Sequence, residues 1–318
     1  MKMSMSVLIV GVLLVAVPAL AGPLAKEQVS GGANWVVHVD VEQFRTTRMH
    51  QFARPELENL GIEKKLSGFA TLFSFHPIDD IRDVTIYGKG QDRKKAVVLI
   101  EGVFDKERLL ALVGMNPEHE EIEYGDMVLH RWVDENKKDP DGPGQVTYGC
   151  FYQDDLIVMG AGLEGVKHAV DVLDGTAADA ANVVFSRATE DAKGVFLQVM
   201  AHSVGQIVGE EPKAAVLRQT DQVGLVIGEV EGKFYIDLAL TAKSEEVAQA
   251  INKILEGIIA FAMLTGEEDP KLAELAAMVE LSCQLNTVRV HFESDSEAVV
   301  QFLKEQWQKK IEKQDQTQ

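Results

Sequence analysis

The chain has 318 residues and a formal net charge of −19 at pH 7, with 46% hydrophobic and 25% charged residues. That balance is typical of a globular protein with enough apolar side chains to build a core. A surface this acidic repels polyanions, so the charge excludes nucleic acid as a partner and opposes binding to anionic membrane faces.

The chain opens with an apolar segment behind a basic start. Lys2 precedes an apolar run over residues 7–20, and Ala19 and Ala21 provide the small residues that signal peptidase needs. The run is short for a membrane span, which takes roughly 20 residues, so a retained anchor is the less favoured alternative. We predict a signal peptide over residues 1–21, cleaved after Ala21, and a periplasmic or secreted protein with no stable membrane anchor. Residues 22–34 are small and polar and are expected to form a flexible leader.

One pattern recurs along the chain: an apolar strand, then an aspartate, then a helix. Its clearest copy has a strand at 97–100, Asp105 as helix N-cap, and Leu109, Leu112 and Val113 on one helical face. Residues 83–88 are expected to complete a hairpin with that strand. Further strands are predicted at 35–39, 121–124, 127–132, 146–152 and 156–159, and the last of these leads into a helix.

From Val195 the pattern begins again. Strands are predicted at 195–199, 223–227, 234–240 and 288–292, with helices after the last two and a helix over 272–279. The apolar stretch 258–264 is expected to be a buried helix end. We therefore predict an α+β protein of two similar halves, 35–174 and 195–310, each an antiparallel or mixed sheet with helices packed on one face. A connector at 175–194 and a tail at 311–318 complete the expected organisation.

The order βαββα within a half resembles the ferredoxin-like split βαβ plan. The chain as a whole is similar to uncharacterised exported bacterial proteins with duplicated α+β halves. That resemblance rests on two short sequence motifs, Val103-Phe104-Asp105 and Asp154-Asp155-Leu156. It implies the doubled fold and supplies no activity.

Three glycines, Gly160, Gly162 and Gly165, have the Gly-x-Gly-x-x-Gly spacing between a predicted strand and a predicted helix. In a dinucleotide-binding fold such glycines let the backbone approach a pyrophosphate at the helix N-terminus. The preceding segments, however, have the pattern of hairpins and not of parallel βαβ units. We interpret the motif as a turn that starts a helix, with a dinucleotide site as the alternative.

Two short stretches place a histidine beside carboxylates: His76 with Asp79 and Asp80, and His119 with Glu120. These are the side chains from which zinc sites are built. In an extended segment, however, adjacent side chains point to opposite faces. Solvated loop charges are therefore the favoured interpretation, and a metal site is the alternative.

The sequence contains no nucleophile motif of the Gly-x-Ser-x-Gly type and no coherent catalytic set. Its two cysteines, Cys150 and Cys283, are either buried thiols or, in an oxidising compartment, a disulfide. We predict an exported, non-enzymatic binding or scaffold protein that needs no cofactor and whose partner is an unknown protein or small ligand. A metal- or dinucleotide-dependent enzyme is the alternative.

Overall fold

A computed structural model describes residues 24–59, 61–134, 144–185, 192–209, 215–264 and 270–315. The α-helices of this part of the chain are α1 (Val41–Arg45), α2 (Arg48–Asn59), α3 (Ile62–Phe73), α4 (Lys106–Gly114), α5 (Leu163–Leu173), α6 (Ala215–Arg218), α7 (Glu245–Leu264), α8 (Pro270–Ala277) and α9 (Ser296–Asp315). The strands are β1 (Trp35–Asp40), β2 (Ile81–Gly88), β3 (Val97–Gly102), β4 (Glu120–Tyr124), β5 (Met127–Asp134), β6 (Gln145–Gln153), β7 (Leu156–Gly160), β8 (Val195–His202), β9 (Thr220–Val230), β10 (Lys233–Ala242), β11 (Val279–Gln284) and β12 (Thr287–Asp295).

All of these strands form one sheet of twelve, in the order β11-β12-β10-β9-β8-β1-β2-β3-β7-β6-β5-β4. Every neighbouring pair is antiparallel. Near its middle β1 pairs with β8, and Val37 lies opposite Val199. The chain therefore combines helices with one large antiparallel sheet, which confirms the α+β prediction. The sheet runs without a break across the two expected halves.

Helices cover both faces of this sheet. Val36 belongs to a core that includes Val158 of β7 and Val166 of α5. Val39, which points to the opposite face, belongs to a second core with Phe44 of α1 and Val299 of α9. The prediction that each half carries its helices on one face is therefore wrong for the first half. The reason is visible in β3. Its consecutive apolar residues 97–100 place hydrophobic side chains on both faces of the sheet, so both faces need to be covered.

The segment expected to be a flexible leader is packed where the structure describes it. Val29 and Phe185 are fully buried in the same core as α5. The backbone N–H of Ala180 donates to the carbonyl of Val29 at 2.8 Å, which joins the leader to the connector. Residues 24–34 are small on average, but Val29 and Ala33 are apolar and the fold uses them as core.

Carboxylates hold the starts of several helices. Asp105 accepts a hydrogen bond from the N–H of Arg108 at 3.0 Å, so the predicted N-cap of α4 is confirmed. Glu229 of β9 is buried and accepts from the N–H groups of Arg48 and Met49, at 2.7 and 2.8 Å, and from the hydroxyl of Ser296. One side chain of the sheet thereby fixes the first turns of α2 and α9.

Candidate functional site

The glycine-rich turn joins β7 to α5, and another loop packs directly against it. A β-carbon on Gly162 would lie 2.2 Å from the carbonyl oxygen of Lys94, and one on Gly165 would lie 2.9 Å from the same atom. The glycines thus permit the close approach of the 3-10 turn Arg93–Lys95 to the start of α5. A peptide carbonyl lies where a dinucleotide-binding fold would place its pyrophosphate. Since β7 pairs antiparallel with both β3 and β6, this geometry does not favour the dinucleotide alternative.

The residues around His76 form an ion-pair network ahead of β2. Arg54 contacts both carboxylate oxygens of Asp79, at 2.7 and 3.2 Å, and this hydrogen bonding holds the pKa of Asp79 below its ordinary value. The His76 ring lies 3.0 Å from Asp79 and 3.4 Å from Glu63. Asp80 accepts a hydrogen bond from the backbone N–H of His76. Asp79 and Asp80 are therefore already engaged by a guanidinium and by the turn itself.

The hairpin of β4 and β5 separates His119 from Glu120. Glu120 lies 3.5 Å from the guanidinium of Arg131 on one side of the hairpin. On the other side, Nε2 of His119 lies 3.1 Å from Nδ1 of His130, and the two rings stack with centroids 5.4 Å apart. A carboxylate oxygen of Glu121 lies within 4.8 Å of a ring nitrogen of each histidine. The structure thus brings His119 together with two residues that sequence analysis missed.

A signal for that grouping was present in the sequence. A two-residue turn at 125–126 pairs Tyr124 with Met127, and the same register pairs Glu121 with His130. The alternation of side chains in a strand, which separates His119 from Glu120, also places His119 and Glu121 on the same side.

Three carboxylates form a row on the face of the sheet that α5 covers further along. Asp40, Asp83 and Glu101 are register partners on β1, β2 and β3. Burial raises the pKa of Asp40 to about 7, and burial together with the charge of Glu101 raises that of Asp83 to about 7. Arg82 contacts Glu101 at 2.7 Å. Asp40 and Asp83 therefore take up protons closer to neutral pH than ordinary aspartates do.

Helix α7 is the most apolar surface feature of the described chain. Residues 247–264 contain two charged side chains, Lys253 and Glu256. Among the described helices, α7 alone is long and apolar enough to cross a bilayer. Only 11% of its apolar stretch is buried in the protein. It packs on the end of the sheet through Ala248 and Ile251.

From its middle onward α7 carries an exposed apolar stripe. Ile254, Ile258 and Phe261 recur at helical spacing and are 49%, 59% and 70% exposed, and Leu264 is 82% exposed. The expectation that 258–264 is a buried helix end is therefore wrong. The apolar composition of a segment makes its burial favourable, but it does not determine whether another part of the chain covers it.

A groove of about 340 Å³ runs between α6 and α7 and continues this stripe. Val216 of α6 and Val247, Ile251 and Ile254 of α7 line it. Ile254 belongs to both the groove and the stripe, so the two form one apolar surface.

A second cavity, of about 330 Å³, lies on the other face of β10, β12 and β11. Its lining includes His291, whose Nδ1 lies 2.7 Å from Asp237, together with Glu280 and Arg289. His291 and Asp237 are 40% and 43% exposed. Such a polar row is typical of the solvent face of an antiparallel sheet.

Cys150 and Cys283 are both free. They lie on β6 and β11, nine strand positions apart in the sheet. At about 4.8 Å per strand that separation is roughly 40 Å, so a disulfide between them within one chain is sterically impossible. Burial raises the pKa of the Cys150 thiol to about 12.

No protein-family model and no curated protein matches this chain. Among solved structures, crystal form III of TP0453 is similar, with a TM-score of 0.46 and 8% identity, over 90% of this chain and 100% of that one. Crystal forms I and IV of TP0453 give TM-scores of 0.44 and 0.42, also at 8% identity, over 90% and 92% of this chain and 98% and 99% of the other. These neighbours are distant, and the resemblance to exported bacterial proteins with duplicated halves stays a prediction.

Proposed function

We propose that this protein is an exported, non-enzymatic binding protein that docks reversibly on an electrically neutral lipid surface through α7. The observation that carries the proposal is the exposed stripe of Ile254, Ile258, Phe261 and Leu264. A helix that packs on a sheet through its first half and exposes apolar residues in its second half also matches an interfacial helix, which lies in the plane of a membrane.

The stripe is large enough to supply useful binding energy. Burying an aliphatic or aromatic side chain completely is worth about 1.5–3 kcal/mol. The four stripe residues are 49–82% exposed, so each has about 1–2 kcal/mol left to gain. The gross total of about 4–8 kcal/mol is reduced by the cost of association, which leaves a reversible contact and not a permanent anchor.

Charge favours a neutral lipid surface over other occupants. Two copies of a chain with a net charge of −19 repel one another, and so do the chain and an anionic bilayer. A zwitterionic bilayer carries no such penalty. The groove between α6 and α7 adds apolar surface next to the stripe, since Ile254 belongs to both.

Flotation of the purified protein with phosphatidylcholine vesicles tests the proposal. Phe261→Asn and Ile258→Asn should each weaken binding about tenfold, since each removes about 1–2 kcal/mol of burial. Met115→Asn is the matched control, because Met115 is 79% exposed and lies at the end of α4, outside the stripe. Unchanged flotation of Phe261→Asn would contradict the proposal. Dimerisation without lipid that Phe261→Asn abolishes would assign the stripe to a second copy instead.

We propose further that export involves cleavage after Ala21. Support comes from the basic start, the apolar run over 7–20 and the small residues at its end. Intact-mass measurement of the protein recovered from a host that secretes it should give a chain that begins at Gly22. A mass that retains residues 1–21 would refute this.

We infer in addition that the sheet derives from duplication of a smaller unit. Outward from its centre the strand order is β1-β2-β3-β7-β6 on one side and β8-β9-β10-β12-β11 on the other. The closing helices differ, because α5 and α9 pack on opposite faces of the sheet. An experimental structure in which the two five-strand sets fail to superimpose would exclude duplication.

A further inference from the structure

The side of the β4–β5 hairpin that carries His119, Glu121 and His130 groups three metal-ligating side chains, with one ligand atom of each within 4.8 Å of the others. We propose that these residues bind a first-row divalent cation of the zinc class, with the two ring nitrogens and one carboxylate oxygen as ligands. The remaining coordination positions would belong to water or to a small anionic ligand, as in zinc sites that have three protein ligands.

The distance between the two nitrogens carries the proposal. Nε2 of His119 and Nδ1 of His130 are 3.1 Å apart. Two nitrogens bound to one tetrahedral zinc at about 2.0–2.1 Å are about 3.3 Å from each other. The nitrogen–nitrogen separation therefore needs to change by only a few tenths of an ångström, and the rings must turn so that both lone pairs point at one metal ion. Each neutral ring then keeps its single proton on its other nitrogen.

The scaffold around the site is ordered by contacts that do not use the ligands. His130 is 9% exposed and sits in the middle of β5, between β4 and β6. Asn116 donates to the carbonyl of Val133 at 2.9 Å, and Arg131 donates to that of Glu118 at 2.9 Å. These two bonds hold the segment that carries His119 against β5. A site with a preformed backbone loses less entropy on binding metal.

The charge of the ligand set suits a cation. A neutral imidazole is the form that binds metal. Glu121 is exposed and can rotate towards the two rings, and its negative charge offsets part of the charge of the cation.

The test is calorimetric titration of the purified protein, without a polyhistidine tag, with Zn²⁺, and with Co²⁺ followed by visible absorption. We expect one metal ion to bind tightly per protein chain, with Co²⁺ absorption bands of the intensity that four-coordinate sites show. His119→Gln should weaken that binding on the order of a hundredfold, since loss of even an outer-shell partner costs about ten- to a hundredfold. Glu121→Gln should weaken it less. Glu120→Gln is the matched control, because it removes the adjacent carboxylate from the opposite side of β4 and should leave the affinity unchanged.

Three outcomes would overturn the proposal. The first is the lack of tight metal binding by the unmodified protein. The second is equal affinity of His119→Gln and the unmodified protein, which would place the metal elsewhere, for instance at His291 and Asp237. The third is a Glu120→Gln variant that binds more weakly than Glu121→Gln. His119 precedes β4 and is half-buried, so its substitution leaves the sheet intact, and circular dichroism of each variant checks this.

Discussion

Replacement of Glu229 by alanine should destabilise the protein more than any surface substitution on the same strand. Glu229 is 8% exposed and accepts hydrogen bonds from the N–H groups of Arg48 and Met49 and from the hydroxyl of Ser296. Without the carboxylate, two N–H groups at the start of α2 and one hydroxyl at the start of α9 lose their acceptor. Met49 and Ser296 are buried, and an unpaired donor in the interior is costly.

The magnitude follows from those three bonds. A hydrogen bond to a charged group contributes about 1.5–3 kcal/mol, and a buried donor left without its partner costs about 1–3 kcal/mol. The bonds share one acceptor and are not additive, so we expect Glu229→Ala to lower the free energy of unfolding by about 3–5 kcal/mol. Glu229→Gln keeps the side-chain volume and one acceptor oxygen, so it should recover about half of that loss.

Urea unfolding followed by both far-ultraviolet circular dichroism and tryptophan fluorescence measures this loss. Trp307 lies on α9 and so reports one of the two helices that Glu229 holds. Asp221→Ala is the control, because Asp221 is an exposed carboxylate on the same strand and its removal should change stability by less than about 0.5 kcal/mol. A Glu229→Ala variant within about 1 kcal/mol of the unmodified protein would refute the reasoning, since intact caps would then not depend on this residue.

Three further predictions follow from the structure. The pKa of Asp83 is raised above its unfolded value of 3.8, so its contribution to stability is fully present below about pH 4 and is lost as the pH rises through about 7. Asp83→Asn should therefore add about 1–2 kcal/mol to the free energy of unfolding at pH 8 and almost nothing at pH 4; an equal gain at both would disprove the titration. Gly162→Ala should cost about 1–3 kcal/mol, because its β-carbon would overlap the Lys94 carbonyl; a neutral effect in thermal melting would contradict the contact. In native protein a thiol reagent should modify the half-buried Cys283 and spare the buried Cys150 until urea is added; equal rates would show that β6 opens readily.

Much of the local structure was predictable because local patterns determine it. The N-cap at Asp105 and the hairpin of residues 83–88 with residues 97–100 depend on residues close together in sequence. The apolar run at 97–100 also indicated that both faces of the sheet are covered, since four consecutive apolar residues put hydrophobic side chains on both faces of a strand. That feature explains why α5 and α1 lie on opposite faces of the sheet.

The candidate sites were less predictable, because they depend on which strands meet. His119 was identified as a possible ligand, but its neighbour Glu120 lies on the wrong side of β4 and its partner His130 comes from β5. The glycines at 160, 162 and 165 were recognised as a turn that starts a helix. The loop that makes them necessary, at Lys94, is distant in sequence.

The sequence by itself determined the acidic charge, the alternation of strands and helices, and the starts of helices, because propensity, capping and side-chain alternation act over a few residues. Only the tertiary structure decided that twelve strands form one sheet, that Glu229 holds two distant helices, and that the apolar second half of α7 faces solvent. Those outcomes depend on long-range pairing. The apolar composition of a segment shows only that its burial would be favourable. The packing of the rest of the chain determines whether the segment is in fact covered.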